Sequence, residues 1–306
     1  MPSATIFPLI SSLADPASLA VRSAVERVAG LGTPVLLWGE TGSGKDFWAE
    51  ALAAASPFQP LLNLGCGDVP ETLLESEWFG YRRGAFTGAD RDSEGKWRQA
   101  GNGTIFLNQI DLLSLAMQAK LLRAIERRKV FPLGSASEVD IAARFLFSAD
   151  ATIEDKVRGG AFRADLFYRI STVSIRIPPL RERPGDILPL LRHFCAGQGV
   201  AVALADDDQQ RLRRYPWPGN IRELRNFVAG LAVRGAALDA AAVAALLDRP
   251  GPILDLIRSG ERTLAEVEAE YTAYLLRKYR NKSRVARILG ISRKSLYNKL
   301  KRHERH

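Results

Sequence analysis

Val35-Leu-Leu-Trp38 runs directly into Gly39-Glu40-Thr41-Gly42-Ser43-Gly44-Lys45-Asp46, and the reading of this 306-residue chain turns on that stretch. A short, wholly apolar run bounded by glycine reads as a buried strand. Glycines at 39, 42 and 44 let the backbone turn so that N–H groups point inward. From Phe47 onward the sequence reads as a helix, whose N-terminus favours negative charge. A lysine at position 45 of such a turn reaches the β- and γ-phosphates of a nucleotide. The general pattern places Ser or Thr after that lysine, and Asp46 departs from it.

Working outward, four more short apolar runs follow: Leu61-Leu-Asn-Leu64, Thr104-Ile-Phe-Leu107, Arg144-Phe-Leu-Phe147 and Val173-Ser-Ile-Arg-Ile177. Continuous apolar strands separated by helical stretches predict an α/β domain with a parallel sheet covered on both faces, over residues 1–182. From 183 to 248 the texture becomes helical and rich in Ala and Leu, broken by Tyr215-Pro-Trp-Pro-Gly219. Arg249-Pro-Gly-Pro252 reads as a linker, because two prolines and a glycine cannot continue a helix. An all-α block over 253–306 follows, and no internal repeat is present.

Composition bounds the class. The chain is 46% hydrophobic and 25% charged, ordinary usage for a globular protein. No apolar run approaches a membrane span, and Met1-Pro-Ser-Ala-Thr-Ile lacks the basic start of a secretory signal. Cys66 and Cys195 form no metal or disulfide pattern and suit a reducing cytoplasm as small buried hydrophobes. Charge is uneven. Residues 277–306 hold twelve Lys/Arg against one acid, Glu304, while the other 276 residues hold 31 basic and 33 acidic groups. The whole net charge of +9 therefore resides in the tail, which implies a polyanionic partner, most simply DNA.

The pattern beneath that charge is specific. Thr263–Tyr279 carries Leu264, Val267, Tyr271, Tyr274 and Leu275 at helical spacing, suited to packing or dimerisation. Asn281 caps a second helix running to Leu289, Gly290 makes a turn, and Ser292 caps a third. With Ile291, Leu296 and Leu300 inward, Arg293, Lys294, Ser295, Tyr297, Asn298, Lys299 and Lys301 face outward toward base edges and phosphates. This is a helix-turn-helix, expected to bind an inverted repeat in double-stranded DNA. The competing reading is a basic hairpin that binds another protein.

Between the glycine-rich loop and the second half of the sheet lies Gly84-Ala85-Phe86-Thr87-Gly88-Ala89. In isolation it is a flexible turn with an apolar tip. Preceded by Ser76-Glu-Trp-Phe-Gly80 and downstream of a phosphate-binding loop, it resembles the sigma-factor-contacting loop of sigma-54-dependent transcriptional activators. These are bacterial enhancer-binding proteins built from an AAA+ domain, a helical lid and a Fis-type helix-turn-helix. The resemblance extends over nearly the whole chain. It implies ATP and Mg²⁺ as cofactors, with Gly39–Asp46 and Arg222 at the nucleotide, an acidic residue at 46 being usual in the family. It also implies sigma-54 RNA polymerase holoenzyme as a partner of Gly84–Ala89. Phe162-Arg-Ala-Asp-Leu-Phe-Tyr-Arg169 matches the segment whose arginines, here Arg163 and Arg169, reach a neighbouring subunit's γ-phosphate. A ring, a hexamer or a heptamer, of identical or mixed subunits, follows from that. Pro178–Arg183 and Trp217–Leu224 match the start of the lid and its nucleotide-sensing arginine.

Four positions depart from the family pattern. Its Asp-Glu pair at the end of the second phosphate-site strand appears here as Asn108-Gln109, two neutral amides. Asn108 brings no charge to Mg²⁺, and Gln109 is no general base at neutral pH. The family's Asn at position 65 is Gly65, and its Thr-Asn pair at the next strand end is Ala149-Asp150. Asp111 and Asp150 are the alternative carboxylates, Asp111 pointing away from the site if the strand continues past Gln109. No metal ligand other than a weak contribution from Asn108 is expected from side chains.

The chain is thus expected to be a DNA-bound AAA+ regulator, cytoplasmic and nucleoid-associated, that binds ATP and hydrolyses it poorly. Its loop and arginines would serve a mixed ring. Little more than a dozen residues precede the ATPase region, so no sensory domain is expected. Two readings compete: a fully active ATPase that remodels the closed promoter complex alone, and a non-enzymatic DNA-binding regulator using the AAA+ fold as scaffold.

Overall fold

A computed structural model of the chain describes residues 10–67, 70–247, 263, 268, 271–272, 275–276, 281–292 and 295–296. The five apolar runs form strands β1 (Val35–Trp38), β2 (Leu61–Gly65), β3 (Thr104–Asn108), β6 (Arg144–Ala149) and β7 (Val173–Arg176). A small antiparallel ribbon, β4 (Lys129–Val130) with β5 (Val139–Asp140), stands apart. The main sheet is wholly parallel in the order β2-β3-β6-β1-β7. Its central strands are apolar on both faces because helices cover both; Phe106, Leu107, Phe145 and Phe147 are fully buried. The α/β class and the parallel sheet are as the sequence indicates.

The glycine-rich turn leaves the carboxyl end of β1 and enters the helix Lys45–Ala54. That helix starts two residues earlier than Phe47, because Gly44 in a left-handed conformation (φ 99°) serves as its N-cap. β1 lies between β6 and β7, so the loop opens where strand order reverses, the usual place for a ligand in an open α/β sheet.

Two buried arginines tie distant segments together. Arg144, at the start of β6, donates to Val28 O (2.9 Å) and Ala29 O (3.0 Å), satisfying carbonyls at the end of the helix Pro16–Val28. Arg183 donates to Ser43 O beneath the glycine-rich turn and to Ser18 Oγ at 3.3 Å. Next to it the buried Asp186 accepts from Ala14 N and Asp15 N, each at 3.1 Å, and from Ser18 Oγ. Arg183→Leu should leave the Asp15 and Asp186 carboxylates without their compensating cation. We expect it to lower the unfolding free energy by about 3–5 kcal/mol in chemical denaturation. A loss under about 1 kcal/mol would show that the network holds without the guanidinium.

Beyond the sheet come four helices, Ile187–Gly197, Asp206–Arg214, Asn220–Val233 and Ala240–Leu247. The breaker at Tyr215–Gly219 separates the second from the third. Tyr215 donates to Glu223 Oε1 and Gly219 N to Glu223 Oε2, both at 2.9 Å.

By its contacts the chain divides into Met1–Val243 and Ala244–His306. In the second unit the helix Lys282–Ile288 is capped by Asn281, whose side chain accepts from Arg284 N. Gly290 turns the chain at φ 66°, and Ser292 Oγ accepts from Ser295 N at 3.0 Å. Leu275, Val285, Ala286 and Leu296 form its core. Ser295, expected to face outward toward DNA, has its hydroxyl within 2.8 Å of Ser292 Oγ as part of that cap. Arg293, Lys294, Tyr297, Asn298, Lys299 and Lys301 lie outside the described residues, as do Leu264, Val267 and Tyr274.

Cys66 and Cys195 are buried free thiols. Among the described residues no helix is long and apolar enough to cross a membrane.

Candidate functional site

Three glycines shape the loop by what they leave out. A Cβ on Gly39 would lie 2.4 Å from Ile177 O, and one on Gly42 2.5 Å from Gly219 O. Gly42 and Gly44 also take φ of +76° and +99°, where other residues are strained. The resulting cradle borders a cleft of about 480 Å³ lined by Lys45, Asp46, Asn108, Gln109, Arg183 and Arg222 among others. Lys45 Nζ donates to Gly39 O (2.7 Å) and Glu40 O (3.1 Å). Burial lowers its proton affinity, and the carboxylates of Asp150, Asp46 and Asp111 oppose that effect. The cation is thus held over the loop within reach of an anion. Ser43 Oγ is buried in the turn without a hydrogen-bond partner.

β2, β3 and β6 bring the altered positions to the same end. Gly65 pairs with Asn108, and Trp38 at the end of β1 pairs with Ala149. Asn108 Nδ2 donates to Asp46 Oδ1 at 2.9 Å, while its Oδ1 accepts from Ser148 Oγ. Its amide is therefore satisfied on both edges. Ser148, to which sequence reasoning gave no role, also accepts from Gln109 N at 3.0 Å. Gln109 itself adopts a left-handed conformation, φ 61° and ψ 50°.

That conformation decides the condition on which the direction of Asp111 depended. β3 ends at Asn108, and the chain turns into a short 3-10 helix, Ile110–Leu112, so Asp111 is not carried away along a strand. Asp111 is buried and accepts from Lys156 Nζ (2.7 Å) and Asp150 N (3.0 Å). Asp150 Oδ1 accepts from Thr152 N at 3.1 Å and Thr152 Oγ1 at 2.9 Å. Both carboxylates line a second recess of about 230 Å³, shared with Thr41, Lys45 and Gln109.

A third group closes the loop from the other side. Glu40 takes a forked pair of hydrogen bonds from Arg181, one at 2.7 Å, which hold its carboxyl below the ordinary range. Sequence reasoning gave neither Arg181 nor Asn220 a role, because nothing local announces a partner 140 or more residues away. Arg163 and Arg169 do not line the cleft of their own chain. Both are exposed, Arg163 paired with Asp165 at 2.7 Å and Arg169 at the end of the helix Ala164–Ile170.

The Gly84–Ala89 loop springs from a rigid base. Trp78 stacks on Trp97 at 5.5 Å, and Phe79 and Phe145 pack edge-on against Trp97. Tyr81 and Ser93 exchange backbone hydrogen bonds at 2.9 and 2.8 Å, pinching the loop's stem. Gly84 N donates to Ala89 O at 2.9 Å, and Gly84 and Gly88 take φ of +81° and +96°. Phe86 is 43% exposed, its inner edge against Tyr81 at 4.9 Å, and Thr87 is exposed beside it. The tip thus offers an aromatic face on a narrow neck.

Comparison with known proteins places three family models end to end on the chain: the Sigma-54 interaction domain over residues 12–176, the AAA+ ATPase lid domain over 181–245, and the bacterial regulatory protein, Fis family, over 263–303. The chain is 39% identical over 304 residues to the transcriptional regulatory protein ZraR of Klebsiella oxytoca, covering 94% of this chain and 68% of that protein. It is 41% identical over 226 residues to the Nif-specific regulatory protein of Azospirillum brasilense, covering 72% of this chain and 36% of that one. Against the C4-dicarboxylate transport regulator DctD of Pseudomonas aeruginosa the chain spans 62% of the relative's length. Among solved structures, NtrX from Brucella abortus in complex with ATP matches with a TM-score of 0.68 and 29% identity, over 94% of this chain and 67% of that one.

Proposed function

The chain belongs to the sigma-54-dependent transcriptional regulators, and from that premise we propose that it binds ATP, contacts sigma-54 RNA polymerase and binds DNA, while turning ATP over slowly. The observation that carries the slow turnover is Asn108, whose amide is bonded to Asp46 and Ser148 with Gln109 beyond it. Neither amide at the end of β3 can take a proton from water at neutral pH.

The residues fit the nucleotide. The glycine cradle, Lys45 and the neighbouring Arg222 suit a polyphosphate, and Ser43 Oγ is a buried polar atom left to be satisfied there. Mg²⁺ is suited less well. Asp46 is the carboxylate bonded to Asn108, and among the described residues no cluster of three His, Cys, Asp or Glu could hold a metal. The ion would rest chiefly on the phosphates. Arg163 and Arg169, exposed and outside their own cleft, suit donation to a neighbouring subunit in a hexameric ring. A subunit that lends loop and arginines to an active partner keeps the residues retained here.

The competing active-ATPase reading has one observation in its favour: Asp150 lines the recess that Lys45 and Gln109 also line. Its Oδ1 is already spent on Thr152.

The loop assignment has its own test. In the presence of a transition-state nucleotide analogue, the wild-type chain should capture sigma-54. Thr87→Ala should lose that capture by at least about tenfold, since Thr87 and Phe86 make up the exposed tip, while DNA binding stays intact. Undiminished capture by Thr87→Ala would remove Gly84–Ala89 from the sigma-54 interface.

A further inference from the structure

Asn220 is fully buried yet takes a left-handed backbone conformation, φ 53°. A non-glycine residue adopts that conformation at a cost, and such strain persists only where surrounding contacts over-determine it. Its side chain supplies those contacts. Asn220 Oδ1 accepts from Leu180 N at 2.7 Å, and Nδ2 donates to Thr41 O at 3.1 Å and Glu40 Oε2 at 3.2 Å. The next residue, Ile221, donates its N–H to Gly42 O at 2.9 Å. Every polar edge of the amide is spent on joining the first turn of the helix Asn220–Val233 to the glycine-rich loop.

Arg222 is carried by that same turn. A Cβ on Gly42 would lie 3.1 Å from Arg222 Cβ, so loop and arginine touch across the joint. Arg181 closes it by gripping the same carboxylate, sharing Glu40 Oε2 with Asn220 and taking Oε1 as well. We propose that Asn220 is a positioning residue for ATP: it locks the helix to Thr41 and Glu40 and so seats Arg222 over the phosphate loop. The inference rests on the reading of this cleft as the ATP site and adds to it a residue that would touch no ligand atom.

The amide's chemistry supplies a discriminating test in the full chain. Asn220→Asp keeps the shape and the bond from Leu180 N but turns the two donor bonds into oxygen–oxygen repulsion against Thr41 and Glu40. ATP affinity, measured with a fluorescent analogue, should fall about tenfold or more, and the preference for ATP over ADP should shrink with it. Glu40→Gln in the same chain restores a donor facing the new carboxylate. The double variant should recover part of that loss, Thr41 O and the Arg181 pair remaining unrepaired, a coupling that general destabilisation does not produce. Where Asn220→Asp fails to fold by circular dichroism, Asn220→Gly keeps the backbone conformation, removes the side chain and carries the same expectation. Nucleotide affinity within threefold of wild type in the folded variant, or a double variant no better than Asn220→Asp, overturns the assignment. A wild-type chain that binds ATP no better than Lys45→Ala instead overturns the nucleotide reading itself, and this inference with it.

Discussion

Replacing Asn108 by Asp and Gln109 by Glu together is expected to raise steady-state ATP turnover by about 10²–10⁴, the usual contribution of a positioned general base. Gln109 is exposed at the mouth of both recesses, held in a left-handed conformation by the bond from its N–H to Ser148 Oγ. A carboxylate there inherits that placement and adds proton affinity. The change at 108 acts differently. Its Nδ2 now donates to one oxygen of Asp46 at 2.9 Å; an Asp in its place sets two carboxylates against each other. A divalent cation bound between them would relieve that repulsion. The double variant should therefore need Mg²⁺ more sharply than the wild type, with turnover collapsing on chelation. A rise of less than about tenfold would mean that Asn108 and Gln109 do not limit hydrolysis, and the slow-turnover reading would fall.

For residues 253–306 a large effect of salt on DNA affinity is expected. Twelve basic residues stand between 277 and 306 against one acid. Were half of them to meet phosphates, log K would fall with log salt at a slope of about −5 or steeper, a loss of about 10³ between 50 and 200 mM. Binding should cover two half-sites of an inverted repeat about 34 Å apart. Arg293→Ala should weaken binding to the cognate site more than to random DNA, as a base-reading arginine does, whereas Lys301→Ala should weaken both alike. Salt-independent affinity, or protection of a single half-site, would identify the tail as a protein-binding hairpin.

The strands were legible because burial on both faces leaves a local mark. Thr104–Leu107 and Arg144–Phe147 read as apolar runs without knowledge of their neighbours. The turn at Gly39–Lys45 was legible for a related reason, since glycines are required where a Cβ would strike Ile177 O or Gly219 O. The tail's capped helix was readable from Asn281, Gly290 and Ser292, because caps act within three or four residues. The direction of Asp111 stayed conditional on whether the strand continues past Gln109, because the left-handed turn there is braced by Ser148, 39 residues away.

What the sequence by itself determined is thus the strands of the sheet, the glycine-rich loop, the basic tail and the two neutral amides at 108 and 109. Those features live in spacing, residue type and charge, which the covalent chain carries directly. The tertiary structure alone decided the strand order β2-β3-β6-β1-β7 and the partners of polar side chains. Arg144 reads as the first residue of a strand, yet it closes a helix more than a hundred positions earlier. Asn108 meets Asp46 across 62 residues, Glu40 meets Arg181 across 141, and Asn220 meets Thr41 across 179. Hydrophobic periodicity reports which face of an element is buried, but a hydrogen bond depends on a particular atom being brought within about 3 Å, and only the packed chain brings it there.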